Sequence, residues 1–219
     1  MAWVFDAANT GATENDVNAT VTISHTVGSL TNGILFVTMA WSTVGSTITG
    51  VTYNGVAMTQ AIHQATNRST DIWYLVAPDS GTHNVVISGS GNFGRANAGS
   101  QSWDGANASQ TPTTITGNGT SATPSVTVTT AAGELIIDCL GQSFTAGDTL
   151  AVNANQTEQS KISGGATILG SSSQLGSDGG VMSWTNSNSR AYGFVAASFD
   201  PAAAGGTSIL RQMMQHHGG

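Results

Sequence analysis

The chain has 219 residues, of which only 8% are charged, and a formal net charge of −7. That charge would repel a phosphate backbone, which argues against nucleic-acid binding. Apolar runs are too short to span a bilayer, and the first residues lack a basic segment followed by an apolar one. We therefore expect neither a membrane protein nor a signal peptide.

Alternating and apolar runs predict β-strands from the start of the chain. Trp3–Phe5 is predicted to be a short strand and the polar residues 6–18 a loop. Thr20–Thr26 alternates between polar and apolar residues, as a half-buried strand does. The run Ile34–Trp41 is apolar on both faces, which favours a strand inside a sandwich.

Two turn signals follow in residues 51–90. Asn54-Gly55 predicts a tight hairpin, because both residues reach positive φ easily. The Pro-Asp-Ser-Gly sequence at 78–81 predicts a second hairpin, which would join strands 71–77 and 82–88. Since residues 71–77 are apolar on both faces, they should form a central strand.

The remaining predicted strands are Phe93–Trp103, Ser125–Thr130, Gly133–Leu140, Leu150–Gln156, Val181–Thr185 and Arg190–Phe199. Residues 106–122 hold almost no large apolar side chain and are predicted to be a loop or connection. Residues 163–180 are rich in Gly and Ser and show no clear pattern. The predicted fold class is all-β, an antiparallel β-sandwich.

The two halves of the chain resemble each other. VTISHTVGSLTNGILFV, which begins at Val21, is similar to VTVTTAAGELIIDCL, which begins at Val126. RANAGSQSWDGA from Arg95 is likewise similar to RAYGFVAASFDPA from Arg190. We interpret these as two related half-sandwich repeats, residues 15–106 and 120–202, within a single domain of residues 1–204. Any β protein rich in Thr, Val and Gly also resembles itself, and that alternative stays open.

Residue patterns for catalysis are weak. Glu134 and Asp138 share a strand face, but four residues at about 3.3 Å each separate them by roughly 13 Å, whereas glycoside hydrolysis needs carboxyl groups about 5–10 Å apart. The segment 89–94 matches G-x-G-x-x-G, yet no helix is predicted after it to face a pyrophosphate. The motifs of hydrolase elbows and zinc proteases are missing from the sequence. We predict that the protein is not an enzyme and binds no cofactor.

One loop concentrates oxygen ligands. Asp6, Asn9, Glu14, Asn15 and Asp16 offer oxygen atoms of the kind that calcium accepts, but their spacing is not that of an EF-hand. A solvated polar loop is the favoured interpretation. No metal site is predicted.

Several strand residues are expected in the core. The single cysteine, Cys139, alternates with Leu135 and Ile137 and is predicted to be a buried, inert thiol. Tryptophans in predicted strands either pack in the core or remain exposed to stack on a sugar ring. Four are in this position: Trp41, Trp73, Trp103 and Trp184.

Residues 205–219 form a tail with a candidate docking function. Ile209, Leu210, Met213 and Met214 would share one face of a short helix. Such a short helix is not stable alone in water, so we expect it to bind a neighbouring subunit, either a second copy of the chain or another protein. A disordered terminus is the alternative.

Four segments carry a resemblance to a known class of proteins: ITGVTYNGVAMTQ, IWYLVAPDSGTHNVVISGSG, SWDGANASQTPTTITG and SVTVTTAAGELIIDCL. They resemble a β-sandwich found in structural proteins of tailed bacteriophages and in related bacterial surface proteins. The resemblance implies a jelly-roll-like virion component, either a head decoration (cement) protein or a tail or fibre part. It also implies assembly in the host cytoplasm, homo-oligomers, and the major capsid protein or tail proteins as partners. A carbohydrate-binding module is the alternative.

Overall fold

The structure is a computed structural model that describes residues 2–16, 19–42, 45–66, 68–164, 167–176 and 180–203. This part of the chain contains 17 strands in antiparallel sheets, which confirms the all-β fold. The strands of the first half are β1 (Val4–Asp16), β2 (Thr20–Val27), β3 (Gly33–Trp41), β4 (Ile48–Tyr53), β5 (Val56–Ala57), β6 (Thr59–Gln64), β7 (Ser69–Val76), β8 (Gly81–Gly89) and β9 (Gly94–Asp104). The strands of the second half are β10 (Thr113–Ser121), β11 (Ser125–Thr127), β12 (Leu135–Ser143), β13 (Leu150–Val152), β14 (Thr157–Gly164), β15 (Thr167–Leu175), β16 (Val181–Asn186) and β17 (Arg190–Phe199).

Each half forms an inner and an outer sheet with a matching strand order. The inner sheets run β1-β9-β3-β7-β6 and β10-β17-β12-β15-β14, and the outer sheets run β2-β8-β4-β5 and β11-β16-β13. Strands β6 and β14 even share a register shift, between Gln60 and Ile62 in one and between Glu158 and Ser160 in the other. This correspondence is what the predicted duplication would produce. The jelly-roll description stays a prediction.

The two inner sheets pack face to face with their strand orders reversed. Strand β1 lies on β14, β9 on β15, β3 on β12, β7 on β17 and β6 on β10. If each strand is replaced by its counterpart in the other half, the β1–β14 contact becomes β10–β6 and the β9–β15 contact becomes β17–β7. The β3–β12 contact becomes itself. The halves are therefore related by an approximate two-fold axis that runs parallel to the strands, and corresponding strand ends lie at the same end of the molecule.

Three apolar clusters fill the spaces between the four sheets. The central cluster, between the inner sheets, includes Phe36, Ile72, Ile137 and Phe199. The other two clusters lie between inner and outer sheet of each half. The predicted core strands are thus buried on both faces, but because each half also adds an outer sheet, the molecule has four layers rather than the two of a simple sandwich.

Glycines bring the inner sheets together at one end. A Cβ atom at Gly193 would lie 2.0 Å from the carbonyl oxygen of Arg68, and one at Gly141 would lie 3.0 Å from Cβ of Ala40. The first contact cannot be tolerated, because the neighbouring atom is backbone, and the second would require the closely packed core to move. Only glycine allows the β6–β7 turn of the first half to rest on the second half here.

Three predictions about local structure are wrong. Residues 6–18 are not a loop, since β1 reaches Asp16, and residues 106–122 contain β10. Both are edge strands, and edge strands need no apolar face pattern when they are largely exposed. The turn at 78–81 makes no hairpin, because β7 pairs on both sides with β3 and β6 and β8 belongs to the outer sheet. The Asn54-Gly55 hairpin is confirmed, with φ of 48° and 78°.

Cys139 is fully buried, as predicted, and its thiol donates a hydrogen bond to the Met39 carbonyl at 3.4 Å. Burial raises the pKa of Cys139 well above its usual value, and a neutral thiol is a poor nucleophile. We expect the native protein to react with a thiol reagent at least on the order of 100-fold more slowly than the chain unfolded in guanidinium. Equal rates in both conditions would contradict this placement.

Candidate interaction surface

A hydrogen-bonded network inside the first half joins His25, two serines and Asp6. His25, with 1% of its surface exposed, lies 2.9 Å through Nε2 from Ser102 Oγ and 2.8 Å through Nδ1 from Ser100 Oγ. Ser102 Oγ donates to Asp6 at 2.6 Å, so its only hydrogen is used and Nε2 must donate to it. Burial lowers the pKa of His25 to about 4, against an opposing effect of Asp6.

These residue types are those of a hydrolase triad, but their order is different. A catalytic triad places the imidazole between serine and carboxylate, so that the base removes the serine hydrogen. Here Ser102 lies between His25 and Asp6. The network therefore holds β1, β2 and β9 together, and Ser100, the serine that donates to Nδ1, is only 3% exposed and closed to a substrate.

A fully buried carboxylate lies inside the other half. Asp138 accepts hydrogen bonds from Trp184 Nε1 at 2.9 Å, from the Ser172 amide at 2.5 Å and from Gln156 Nε2 at 3.3 Å. It is fully buried, and desolvation raises its pKa to about 7 in spite of these donors. Its partners come from three separate segments, so its role is to join the inner and outer sheets. The predicted separation of Asp138 and Glu134 stays a prediction.

A small pocket at the Gly193 end is lined by a histidine that is paired with a buried carboxylate behind it. His63 Nδ1 lies 2.8 Å from the fully buried Asp71, and the ring stacks on Trp41 at 5.7 Å. The hydrogen bond to Asp71 raises the pKa of His63, and burial raises the pKa of Asp71. The pocket has a volume of about 190 Å³.

Two serine hydroxyl groups that line this pocket already donate hydrogen bonds elsewhere. Ser46 donates to the Asn92 carbonyl at 2.5 Å and Ser69 to the Thr66 carbonyl at 2.9 Å. Neither hydroxyl is therefore free to give its hydrogen to the imidazole. The pair can exchange protons with water, and these two serines do not supply it with a nucleophile.

The opposite end of the molecule carries most of the exposed large apolar residues, and we name it the apolar end. It is defined by four such side chains in the described residues, Val4, Phe5, Leu175 and Val181. Phe5, 45% exposed, packs edge-on against Trp103 with ring centres 5.2 Å apart. Beside Trp103 and Leu175 lies an open groove of about 400 Å³.

Charge is distributed unevenly between the two ends. Asp79, Asp104, Glu134 and Asp200 lie at or next to strand ends at the apolar end, whereas Arg68, Arg95 and Arg190 lie at the opposite end, together with Asp16 and Asp148. Arg190 is held there by Asp148 through two contacts of 2.8 Å. Apolar side chains with a rim of carboxylates fit a partner surface that is apolar in its centre and basic around it.

The chain itself leaves from the apolar end. Pro201 bridges to Ala106, and the Ala202 amide donates to the Gly105 carbonyl at 2.7 Å. The predicted docking residues lie outside the described residues: Ile209, Leu210, Met213 and Met214. The sequence also did not reveal Phe5 and Leu175 as surface residues, since nothing in their neighbours distinguishes an exposed strand end from a buried one.

Sugar stacking by tryptophan has no structural basis here. All five tryptophans, the four named above and Trp3, are at most 9% exposed.

Within the described ranges no three His, Cys, Asp or Glu side chains are placed to hold a metal ion. Nor does that part of the chain contain a helix long and apolar enough to cross a membrane.

Comparison with known proteins adds no name to this site. No family model matches the chain, and no curated protein or solved structure was found to match it.

Proposed function

We propose that this chain is a virion structural protein, a decoration protein that binds the head of a tailed bacteriophage through its apolar end. The observation that carries the proposal is the apolar end itself, where exposed Phe5 and Leu175 lie near an open groove. Exposed apolar groups gathered at one end are typical of a protein-binding surface. The resemblance in the turn and strand segments supports the phage context.

The interior supports a structural role over a catalytic one. His25 bonds to two serines of β9, and Asp138 bonds to Ser172 of β15 and Trp184 of β16. Their hydrogen bonds fix the relative positions of sheets. A fold of this kind presents a rigid surface to a partner with little ordering on binding, which favours affinity.

The proposal is tested by mixing the purified protein with phage heads assembled without it and measuring co-sedimentation. We expect saturable binding, and we expect Leu175→Lys to weaken it at least tenfold, because a buried apolar contact at an interface centre is worth about 2 kcal/mol or more. Thr22→Lys, on an exposed position of β2 away from this end, is the matched control and should bind normally.

Two results would overturn the proposal. Failure of the native protein to bind any head would exclude decoration, and equal binding by Leu175→Lys would exclude the apolar end as the contact. Truncation after Ala204 is a separate test. A truncated protein that folds but no longer binds heads would place the tail residues in the same contact.

A further inference from the structure

The edges of the inner sheets differ in how they are protected. Each inner sheet ends in two edge strands, β1 and β6 in the first half and β10 and β14 in the second. An edge strand exposes unpaired backbone N–H and C=O groups that can pair with another chain. Proteins block such pairing with bulges, charged side chains, prolines or short strands.

Three of the four edges show such protection. Strand β1 has register shifts between Phe5 and Ala7 and again between Thr13 and Asp16. Strand β6 is only six residues long and has a bulge. Strand β14 has a bulge too, and it carries the ion pair Lys161–Glu158, 2.9 Å apart.

Strand β10 has none of these features. It runs for nine residues, TTITGNGTS, without a charged residue or a proline. Its register with β17 is unbroken from Thr113↔Ser198 to Ser121↔Arg190. Its side chains are exposed or half-buried throughout, and no strand of the described residues pairs with its other edge.

The sequence of β10 is also close to a palindrome about Gly117. Antiparallel pairing with a second copy about this residue places Thr113 opposite Ser121 and Thr114 opposite Thr120. The same pairing places Ile115 opposite Gly119 and Thr116 opposite Asn118. Hydroxyl pairs of this kind stabilise neighbouring strands, and no like charges meet.

We propose that β10 is a self-association edge, at which two copies of the chain pair β10 with β10 about a two-fold axis through Gly117. The two inner sheets of the second halves then form one continuous sheet of ten strands. Ile115 packs against the apolar cluster inside the second half, and a Cβ at Gly119 would lie 3.5 Å from the Tyr192 ring. In the pair, Ile115 of one copy therefore covers the open position at Gly119 of the other, beside Tyr192.

The first test uses charge on the edge. Sedimentation equilibrium of the native chain should show a monomer–dimer equilibrium, and Thr116→Lys/Asn118→Lys should raise the dimer Kd at least tenfold, because every introduced ammonium group faces another across the axis. Circular dichroism should be unchanged, as should the melting temperature measured well below the dimer Kd, since both positions are on the surface. Thr22→Lys is the control that should leave the Kd unaltered.

The second test is rescue by opposite charge. Thr116→Glu/Asn118→Glu should also be monomeric alone, and an equimolar mixture of the lysine and glutamate variants should form heterodimers. A native chain that stays monomeric at millimolar concentration overturns the proposal. So does a dimer that survives the lysine substitutions, or a mixture that does not associate. None of these results depends on binding to phage heads.

Discussion

Phe199→Ala is expected to lower the free energy of unfolding by about 3–5 kcal/mol, the range for removing a large aromatic side chain from a core. Phe199 is fully buried between the two inner sheets. Its ring centre lies 4.6 Å from that of Phe36 and 5.4 Å from that of Tyr74, both in the first half. The lost contacts therefore join one half of the chain to the other.

Urea unfolding measured by fluorescence and by circular dichroism would quantify the loss. Phe5→Ala is the matched control: Phe5 is 45% exposed and makes one edge-on ring contact, which is worth about 0.5–1.5 kcal/mol. A loss below about 1 kcal/mol for Phe199→Ala, or separate transitions of the two halves in the native protein, would contradict a shared core.

His25→Gln and Asp138→Asn are expected to change the pH dependence of stability in opposite directions. His25 has a pKa of about 4 in the folded state, against an ordinary value of 6.5. Between these two pH values only the unfolded chain binds the proton, so the free energy of unfolding falls as pH falls. Asp138 has a pKa of about 7 in the folded state, against an ordinary value of 3.8. Between these two pH values only the folded chain binds the proton, so the free energy of unfolding rises as pH falls. Each effect has a slope of about 1.4 kcal/mol per pH unit.

In the native protein the two effects nearly cancel between about pH 4 and 6.5. Each substitution removes one of them. Glutamine keeps one donor and one acceptor where neutral His25 has them, and asparagine is neutral like protonated Asp138. Relative to the native protein over this window, His25→Gln should gain about 3 kcal/mol as pH falls, and Asp138→Asn should lose about as much.

The measurement is urea unfolding at half-unit intervals of pH, with each variant compared with the native protein. Each substitution also changes the free energy of unfolding by an amount that does not depend on pH. That amount cancels, because only the change with pH is compared. A flat difference for His25→Gln would show that His25 is protonated in the folded state. A flat difference for Asp138→Asn would show an ionised carboxylate.

Strands with an apolar or alternating pattern could be predicted from sequence, and the largely exposed edge strands β1, beyond Phe5, and β10 could not. Ile34–Trp41 and Leu135–Cys139 are apolar on both faces because clusters lie above and below them. Strand β10 has no such pattern, since its position at a sheet edge leaves it largely exposed. Edge position depends on which strands pair, and pairing is not local in sequence.

Strand β15 escaped prediction for a different reason. It is buried, yet it is composed mostly of small residues. A Cβ at Gly170 would lie 3.0 Å from the ring of Trp184, so the space above this strand is occupied by a large side chain from the outer sheet. The sequence shows the small residues but not the indole that requires them.

The surface features could be predicted least. Phe5 was assigned to a strand, and only the structure shows it on the surface beside Trp103. Likewise, the bond between His25 and Ser102 joins residues 77 positions apart. Contacts of this range are set by the packing of whole sheets.

The shared core has a consequence during synthesis. The first half leaves the ribosome with the apolar face of β3 and β7 uncovered, because its cover is made of β12 and β17. From Asp104 to Phe199 the ribosome adds a further 95 residues, which takes roughly 5–20 s at about 5–20 residues per second. For that time the nascent chain presents a bare hydrophobic face in a crowded cell, so its yield should depend on chaperones and on the speed of translation through the second half.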